Sequence, residues 1–236
     1  MNGFLLFDLA DGHLVDRSHS SQPYLARTWS RRDVSLSDAT GTHYGFVVSG
    51  VVDVDDASGT MTVFGGMYFS VIGEARIVPR GDAPGLVLSK SRYRGLRMMG
   101  GPFEERGRLR YIDGCSDTAL IPPARLGDPC LNHLHMPAGV RQRSHHHPSD
   151  RVGLIARGGG QCKLPQSDMK IPLSPGVGWL IEEGVVHSFD TDEPDGSSLD
   201  VIAWHPDSDS GPTDDDHPML NRTLTDNGKA VRGVRS

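Results

Sequence analysis

The sequence lacks the features that would place it in a membrane or in a secretory route. No apolar run approaches the roughly 18 residues that a membrane-spanning helix needs. The amino-terminal residues have a short apolar run but no basic lead-in before it, so they do not show the pattern of a signal peptide. We therefore predict a soluble, cytoplasmic protein.

Basic residues are missing from one long interval. None lies between Lys170 and Arg222, whereas Asp and Glu recur throughout it, and the net charge of the chain is −6. An acidic surface of this kind repels nucleic acid and anionic membranes. There is also no basic, helix-turn-helix-like segment that would indicate a transcription regulator. We therefore expect neither nucleic acid nor membrane as a partner.

Paired cysteines are lacking as well. The three cysteines, Cys115, Cys130 and Cys162, are odd in number and form no C-x-x-C pair. This argues against a disulfide framework and against a cysteine metal site. Buried thiols in a reducing compartment fit the pattern better.

What the sequence has in abundance is short apolar runs between turn residues. With 29 glycines and 16 prolines in 236 residues, runs rich in Val, Ile and Leu predict short strands and few helices. Such runs occur at 4–8, 45–54, 60–64, 67–72, 75–78, 86–89, 96–99, 109–112 and 119–123, and again between 131 and 204. We predict an all-β sandwich or barrel. The polar stretch 9–40 shows no such run, 206–218 reads as an acidic loop and 227–236 as a loose tail.

Three histidines form the main candidate for a metal site. Side chains alternate faces along a strand, so His145 and His147 project to one side and His146 to the other. A third ligand must come from another strand, and His187 follows the turn at Gly184. Three neutral imidazoles suit Fe, Ni, Cu or Zn and leave coordination positions open. Taken singly, the histidine run also fits a solvated loop, and His187 also fits a hydrogen-bonded core histidine.

The spacing of these residues resembles the two motifs of the cupin superfamily. The first motif has a glycine, five residues and His-x-His, and closes on a second glycine, as Gly139, His145, His147 and Gly158 do here. The second motif is matched by Gly176, Gly184 and His187, with Glu182 where proline is usual. The two motifs together cover only about 50 residues. The resemblance implies a jelly-roll barrel that binds one divalent metal ion, and tandem barrels and dimers are common in this superfamily.

The chain departs from the motif where its metal-binding glutamate is expected. That position holds Arg151, and Asp150 lies one residue earlier, where strand alternation turns it away from the histidines unless a bulge re-aims it. We therefore favour a three-histidine site over a site with an added carboxylate. An inward guanidinium beside a cation is unfavourable unless an anion lies between them, so Arg151 indicates an anionic substrate. Arg143 and Arg141 share the parity of His145 and are candidates to extend this anchor; a position on the rim is the alternative for all three.

The spacing of the two cupin motifs can also be compared with the amino-terminal half of the sequence. If Gly50 closes a first motif, the glutamate position falls on His43 and the histidine positions on Ala39 and Ser37. If Gly66 opens a second motif, its histidine position holds Ile77. We therefore predict a bicupin: a degenerate barrel at 1–85, connecting strands at 86–128, a metal-binding barrel at 129–206 and an acidic tail at 207–236. A homodimer is the expected assembly.

The resemblance implies three functions, in order of preference. The first is a non-haem dioxygenase that holds Fe(II) and acts with dioxygen on a small anionic molecule, because three-histidine cupin sites resemble those of thiol, diketone-cleaving and ring-cleaving dioxygenases. The second is a redox-neutral isomerase, lyase or hydrolase with Zn, Ni or Mn as a Lewis acid and Glu182, His133 or Asp150 as the base. Cu is a further possible metal for the site. The third is a small-molecule binder without catalysis.

Overall fold

A computed structural model describes residues 3–125, 127–192 and 196–207. Within these residues the chain is built from antiparallel strands, with two short 3-10 turns at Ile112–Gly114 and Pro165–Ser167 and no α-helix. The prediction of an all-β fold is therefore confirmed. No helix in the described ranges is long and apolar enough to cross a membrane.

Twenty strands make up the described part of the chain. The first half contains β1 (Phe4–Asp8), β2 (Leu14–Asp16), β3 (Leu25–Trp29), β4 (Val34–Leu36), β5 (Thr42–Val47), β6 (Val51–Asp56), β7 (Gly59–Phe64), β8 (Tyr68–Ile72), β9 (Ala75–Pro79), β10 (Gly85–Lys90) and β11 (Met98–Gly100). The second half contains β12 (Leu109–Arg110), β13 (Ser116–Ile121), β14 (Cys130–Met136), β15 (Arg151–Gly158), β16 (Gly160–Leu164), β17 (Met169–Leu173), β18 (Val177–Ile181), β19 (Ser188–Asp190) and β20 (Leu199–His205).

These strands form four sheets in two pairs. The first sheet pair is a six-stranded sheet, β11-β8-β5-β10-β3-β2, and a four-stranded sheet, β4-β9-β6-β7; their apolar faces share one buried cluster. The second sheet pair is a seven-stranded sheet, β1-β18-β15-β20-β14-β13-β12, and a three-stranded sheet, β17-β16-β19, which share another. A third cluster joins the two larger sheets, with Tyr24 and Tyr44 against Trp204 at centroid distances of 5.1 and 5.9 Å.

Strand register repeats between the two sheet pairs. In the first pair, Gly45 of β5 lies opposite Phe69 of β8. In the second, Gly153 of β15 lies opposite Trp179 of β18. By the same register, His43 opposite Val71 corresponds to Arg151 opposite Ile181. The two sheet pairs are therefore built on one pattern of strands.

Two features of the first 40 residues differ from the sequence prediction. Strand β1 pairs with β18, so the first strand of the chain belongs to the second sheet pair. The sequence prediction had included it in the amino-terminal barrel at 1–85. The stretch 9–40 contains β2, β3 and β4, for which no strand was predicted. Strand β2 pairs with β3, whereas β3 and β4 pair with β10 and β9, far along the chain. Pairing with distant strands leaves no signal in the local sequence.

The cysteine prediction is confirmed: Cys115, Cys130 and Cys162 are free and buried. The acidic loop predicted at 206–218 lies mostly outside the described residues, and the tail at 227–236 lies entirely outside them. The segment boundaries at 85, 128 and 206 stay predictions.

Candidate metal centre and cavity

The three predicted ligands lie together inside the second sheet pair. His145 and His187 form an antiparallel bridge, and each backbone amide donates to the other's carbonyl at 2.9 Å. The amide of Gly184 donates to the carbonyl of His147 at 2.9 Å, and Gly184 takes a φ of 74°, which a glycine adopts without strain. The ring centroids are 4.6 to 5.2 Å apart. One ligand atom from each histidine lies within 4.8 Å of the others.

Backbone carbonyls orient two of these rings for metal binding. Nδ1 of His145 donates to the carbonyl of Arg143, and Nδ1 of His187 to that of Val185, both at 2.9 Å. A carbonyl can only accept, so these bonds place the proton on Nδ1 and leave the lone pair on Nε2. A metal-bound histidine usually has its second nitrogen held in this way. The donor set therefore fits a divalent transition metal.

The surroundings keep two of the imidazoles uncharged at neutral pH. Burial, together with the positive charge of Arg151, lowers the pKa of His147 to about 2. Burial is also the main reason that the pKa of His187 falls to about 4. A neutral imidazole is the form that coordinates a metal ion, so protons do not compete with a metal for His147 and His187 at physiological pH.

The histidines open onto a cavity of about 250 Å³ inside the same sheet pair. Its walls come from seven strands, β12 to β15 and β18 to β20, and from the segment 142–147. Most of the wall surface is apolar and is formed by Leu109, Leu134, Trp179, Ile181, Phe189, Val201 and Ala203. Besides the three histidines, the polar side chains are Arg110, Tyr111, Asp117, Asn132, Gln142, Arg151 and His205. A small, mostly apolar cavity with a few polar groups is typical of a small-molecule site.

Arg151 lines the cavity beside the histidines, and its side chain is only 8% exposed. One terminal nitrogen, Nη1, donates to the carbonyls of Ser149 and Asp150 at 3.0 Å and to the Ser149 hydroxyl at 2.8 Å. Burial lowers the pKa of Arg151, the nearby charges of Asp207 and Asp150 oppose this, and an arginine stays charged. The cavity therefore contains a buried positive charge that is hydrogen-bonded to uncharged oxygens.

Comparisons with known proteins show the fold. No family model matches the chain, and no curated protein matches it. Among solved structures, a cupin 2 conserved barrel domain protein from Leptotrichia buccalis superposes with a TM-score of 0.58 at 10% identity, covering 85% of this chain and 95% of that one. Salicylate 1,2-dioxygenase from Pseudoaminobacter salicylatoxidans, in complex with gentisate, gives 0.57 at 10% identity and covers 84% and 74%. Oxalate decarboxylase from Bacillus subtilis, with Mn(II) centres, gives 0.53 at 8% identity and covers 88% and 78%.

This chain has the cupin fold. The first cupin motif supplies the segment with His145 and His147 and the strand β15, and the second supplies β18 and the turn before His187. The resemblance found in the sequence is therefore confirmed for the fold.

Three residues proposed as a catalytic base lie outside the cupin cavity. Asp150 is buried but accepts hydrogen bonds from Arg17 and Tyr24 on the far side of β15. Glu182 accepts from Arg17 at 2.7 Å, in an outer groove. His133 is bonded to Asp200 at 2.8 Å between the two large sheets. Strand alternation turns all three away from the metal face, which corrects their proposed role.

Arg141 and Arg143 also lie elsewhere than predicted. Both side chains are largely exposed, and they form ion pairs with Asp192 and Asp113. Both residues alternate in step with His145, so a regular strand would turn them to the same side. The segment 141–147 lies at the edge of the sheet, however, and Arg141 and Arg143 face solvent there. Of the three arginines predicted as an anion anchor, only Arg151 lines the cavity; Arg110, which was not predicted, lines it as well.

Sequence reasoning missed six polar residues of the cavity, two of which, Arg110 and Tyr111, lie at the end of β12 and directly after it. Asp117 and Asn132 come from the neighbouring strands β13 and β14, Gln142 from the ligand segment and His205 from the end of β20. Burial raises the pKa of Asp117 to about 7. Burial and the charge of Arg151 lower the pKa of His205. Alternation with the inward-facing Val201 and Ala203 would have found His205; the others needed the strand pairing.

Proposed function

We propose that this cupin is a metal-dependent enzyme that acts on a small organic anion, with dioxygen as the first candidate for its co-substrate. The observation that carries the proposal is the convergence of three histidines, two of them kept neutral by burial, and one buried arginine on a single cavity. A cavity of about 250 Å³ lies below the usual range for drug-sized ligands, which favours a small substrate.

Fe(II) is the metal we favour, and Zn, Ni, Mn and Cu remain alternatives because their ligand preferences overlap. His145, His147 and His187 would hold the ion, and Fe(II) would supply one-electron chemistry and fix the substrate beside it. Three protein ligands leave positions open for small molecules. The side chains would act by placing and shielding the substrate.

Arg151 would bind the anionic group of the substrate. Its Nη1 is held by Ser149, so the guanidinium is fixed in place before a ligand arrives. A fixed guanidinium binds a carboxylate through two parallel hydrogen bonds. Trp179, Ile181 and Phe189 would pack on the carbon skeleton and exclude water, which strengthens the charge interaction.

The alternative is a redox-neutral reaction, and Asp117 is the observation that favours it. Burial raises the pKa of this carboxyl to about 7, so it can both give and take a proton near neutral pH. It replaces Asp150, Glu182 and His133 as the proposed base. The structural similarity to a Mn(II) decarboxylase and to a dioxygenase supports both classes at the level of the fold alone. A non-catalytic binder is the third candidate.

We also propose that the two sheet pairs are tandem cupin barrels, and the repeated strand register supports this. A homodimer in the cytoplasm is the proposed state. Light scattering coupled to gel filtration tests the dimer, since a mass near 25.6 kDa would contradict it.

The decisive experiment measures metal and oxygen together. The unaltered protein, purified without chelator, is analysed for metal content together with His187→Ala. The control is His43→Ala, which removes a histidine from the first sheet pair, where no metal site is proposed. We expect His187→Ala to lose metal affinity by about 100-fold or more while the control retains it. Full metal occupancy in His187→Ala would refute the site.

The Fe(II)-loaded protein is then supplied with a panel of thiols, diketones and hydroxyaromatic acids. Dioxygen uptake supports the first candidate. Turnover under strict anoxia selects the second, and binding that survives metal removal, without turnover, selects the third.

A further inference from the structure

We propose that Arg17 and Tyr24, in the sheet pair that has no metal ligands, are positioning residues for the metal centre in the other sheet pair. They flank the connection between β2 and β3 in the six-stranded sheet. The inference rests on the proposed metal site, but it concerns residues that no cupin motif of this chain includes.

Arg17 joins the two segments that carry the histidines. Its Nε donates to Asp150 Oδ2 at 2.8 Å, three residues after His147. Its Nη1 donates to Oε1 of Glu182 at 2.7 Å, and Glu182 lies five residues before His187. One guanidinium therefore fixes the end of the first ligand segment and the start of the second.

Asp150 passes this restraint directly to the turn before His187. Its Oδ1 accepts the backbone amide of Glu183 at 2.9 Å, and its Oδ2 accepts the hydroxyl of Tyr24 at 3.2 Å. Burial beside Asp150 raises the pKa of Tyr24, so its hydroxyl stays a donor. The next amide, that of Gly184, donates to the carbonyl of His147 at 2.9 Å.

Burial makes this network more than a surface ion pair. The Asp150 side chain is 4% exposed and that of Arg17 25% exposed. A buried carboxylate that loses its cation must find other partners, so its segment shifts or loosens. Removing groups that orient metal ligands typically reduces metal affinity by about 10- to 100-fold.

The first sheet pair offers a matched control. Arg97 and Asp56 form an ion pair at 2.7 Å with side chains 33% and 2% exposed, close to the values for Arg17 and Asp150. Neither residue lies near the histidines in the sequence or in the cavity. Arg17→Met and Arg97→Met therefore remove the same charge from similar surroundings.

The experiment compares these two variants and Tyr24→Phe with the unaltered chain. The first readout is the affinity for Co(II), together with the visible spectrum of the bound ion. The second is amide hydrogen exchange of the metal-free protein at Glu183, Gly184 and His187. We expect Arg17→Met to weaken Co(II) binding about 10-fold or more, to alter the spectrum and to speed exchange at these amides. Tyr24→Phe should give a smaller change of the same kind, and Arg97→Met none at these positions.

The outcomes separate this proposal from the metal site itself. If the unaltered chain binds no Co(II), the proposed metal site fails, and the exchange data alone decide whether Arg17 fixes the ligand segments. Co(II) affinity and exchange rates in Arg17→Met that stay within about twofold of those in Arg97→Met would overturn the proposal. Faster amide exchange in Arg17→Met with unchanged Co(II) affinity would also overturn the proposal. Arg17 would then stabilise the segment without positioning the metal ligands. Should Arg17→Met fail to fold, Tyr24→Phe gives the same test with only a hydroxyl removed.

Discussion

The two sheet pairs share one strand pattern and differ in what fills them. His145 opposite His187 in the second pair corresponds to Val34 opposite Ile77 in the first. Sequence spacing had placed Ser37 and Ala39 at the positions of the histidines, and the observed register corrects this. The first pair thus has two aliphatic side chains where the second has two candidate metal ligands.

Other corresponding positions show how the two interiors differ. The register aligns Trp29 with Leu134 and Val87 with Ala203, where the first pair has the larger side chain, and Gly85 with Val201, where the second pair has the larger. His43, aligned with Arg151, has both ring nitrogens bonded, to Ser89 and to the carbonyl of Gly73. At this position the first pair therefore has a hydrogen-bonded histidine, whereas Arg151 in the second pair lines the cavity.

The largest expected difference between the pairs concerns aromatic truncation. Phe69→Ala in the closed core should cost about 3–5 kcal/mol, because it leaves a new void beside Gly45. Phe189→Ala should cost about half as much, since this ring already borders the cavity. Urea denaturation of both metal-free variants at one pH measures this. Equal losses would mean that the second interior is as closely packed as the first.

A pH dependence should come from the second pair through Asp117. Its pKa is about 7 in the folded protein and near the ordinary 3.8 when unfolded. A raised carboxyl pKa stabilises the fold at low pH, and this stabilisation is lost as the pH rises through 7. Between pH 5 and 8 the free energy of unfolding should fall by about 2–3 kcal/mol relative to Asp117→Asn. Parallel pH profiles for the two proteins would contradict the proposed burial of the carboxyl.

Added volume gives a smaller difference. Val87→Leu should destabilise the closed core by about 1–3 kcal/mol through overpacking. Ala203→Leu faces the cavity, so it should change stability by less than about 1 kcal/mol while reducing binding of any substrate. Chemical denaturation provides the comparison. A larger loss of stability in Ala203→Leu than in Val87→Leu would show that the cavity has no room for a larger side chain at position 203.

The smallest effects are expected outside the interiors. Arg76→Ala and Arg143→Ala each remove one partner of an exposed ion pair, one in each sheet pair. Both should shift the melting temperature by no more than about 2 °C and leave metal affinity unchanged. A loss of metal affinity in Arg143→Ala would show that this side chain contributes to the metal site.

The parts of the site set by local spacing were predictable. His145 and His147 alternate on one strand-like segment, and His187 follows a glycine turn at a fixed distance, so motif spacing identified all three. Alternation also predicted that Asp150 turns away from them. These inferences need only the geometry of a single strand or turn.

The parts set by pairing between distant segments were not predictable. Asp117 reaches the cavity because β13 pairs with β14, and nothing in its own neighbourhood marks it. Arg17 reaches Asp150 across 133 positions of the sequence. Strands β3 and β4 depend likewise on distant partners. A single sequence contains the alternation of each strand but not the identity of its neighbours.

The pairing of β1 with β18 has a consequence for synthesis of the chain. Phe4–Asp8 leaves the ribosome about 170 residues before Val177–Ile181, its partner. During that interval an apolar strand has an unpaired edge, which is a template for association with other chains. The seven-stranded sheet can be completed only after most of the protein has been made. Such long-range pairing forms slowly, so the yield of folded protein should depend on how well the nascent amino terminus is shielded by chaperones.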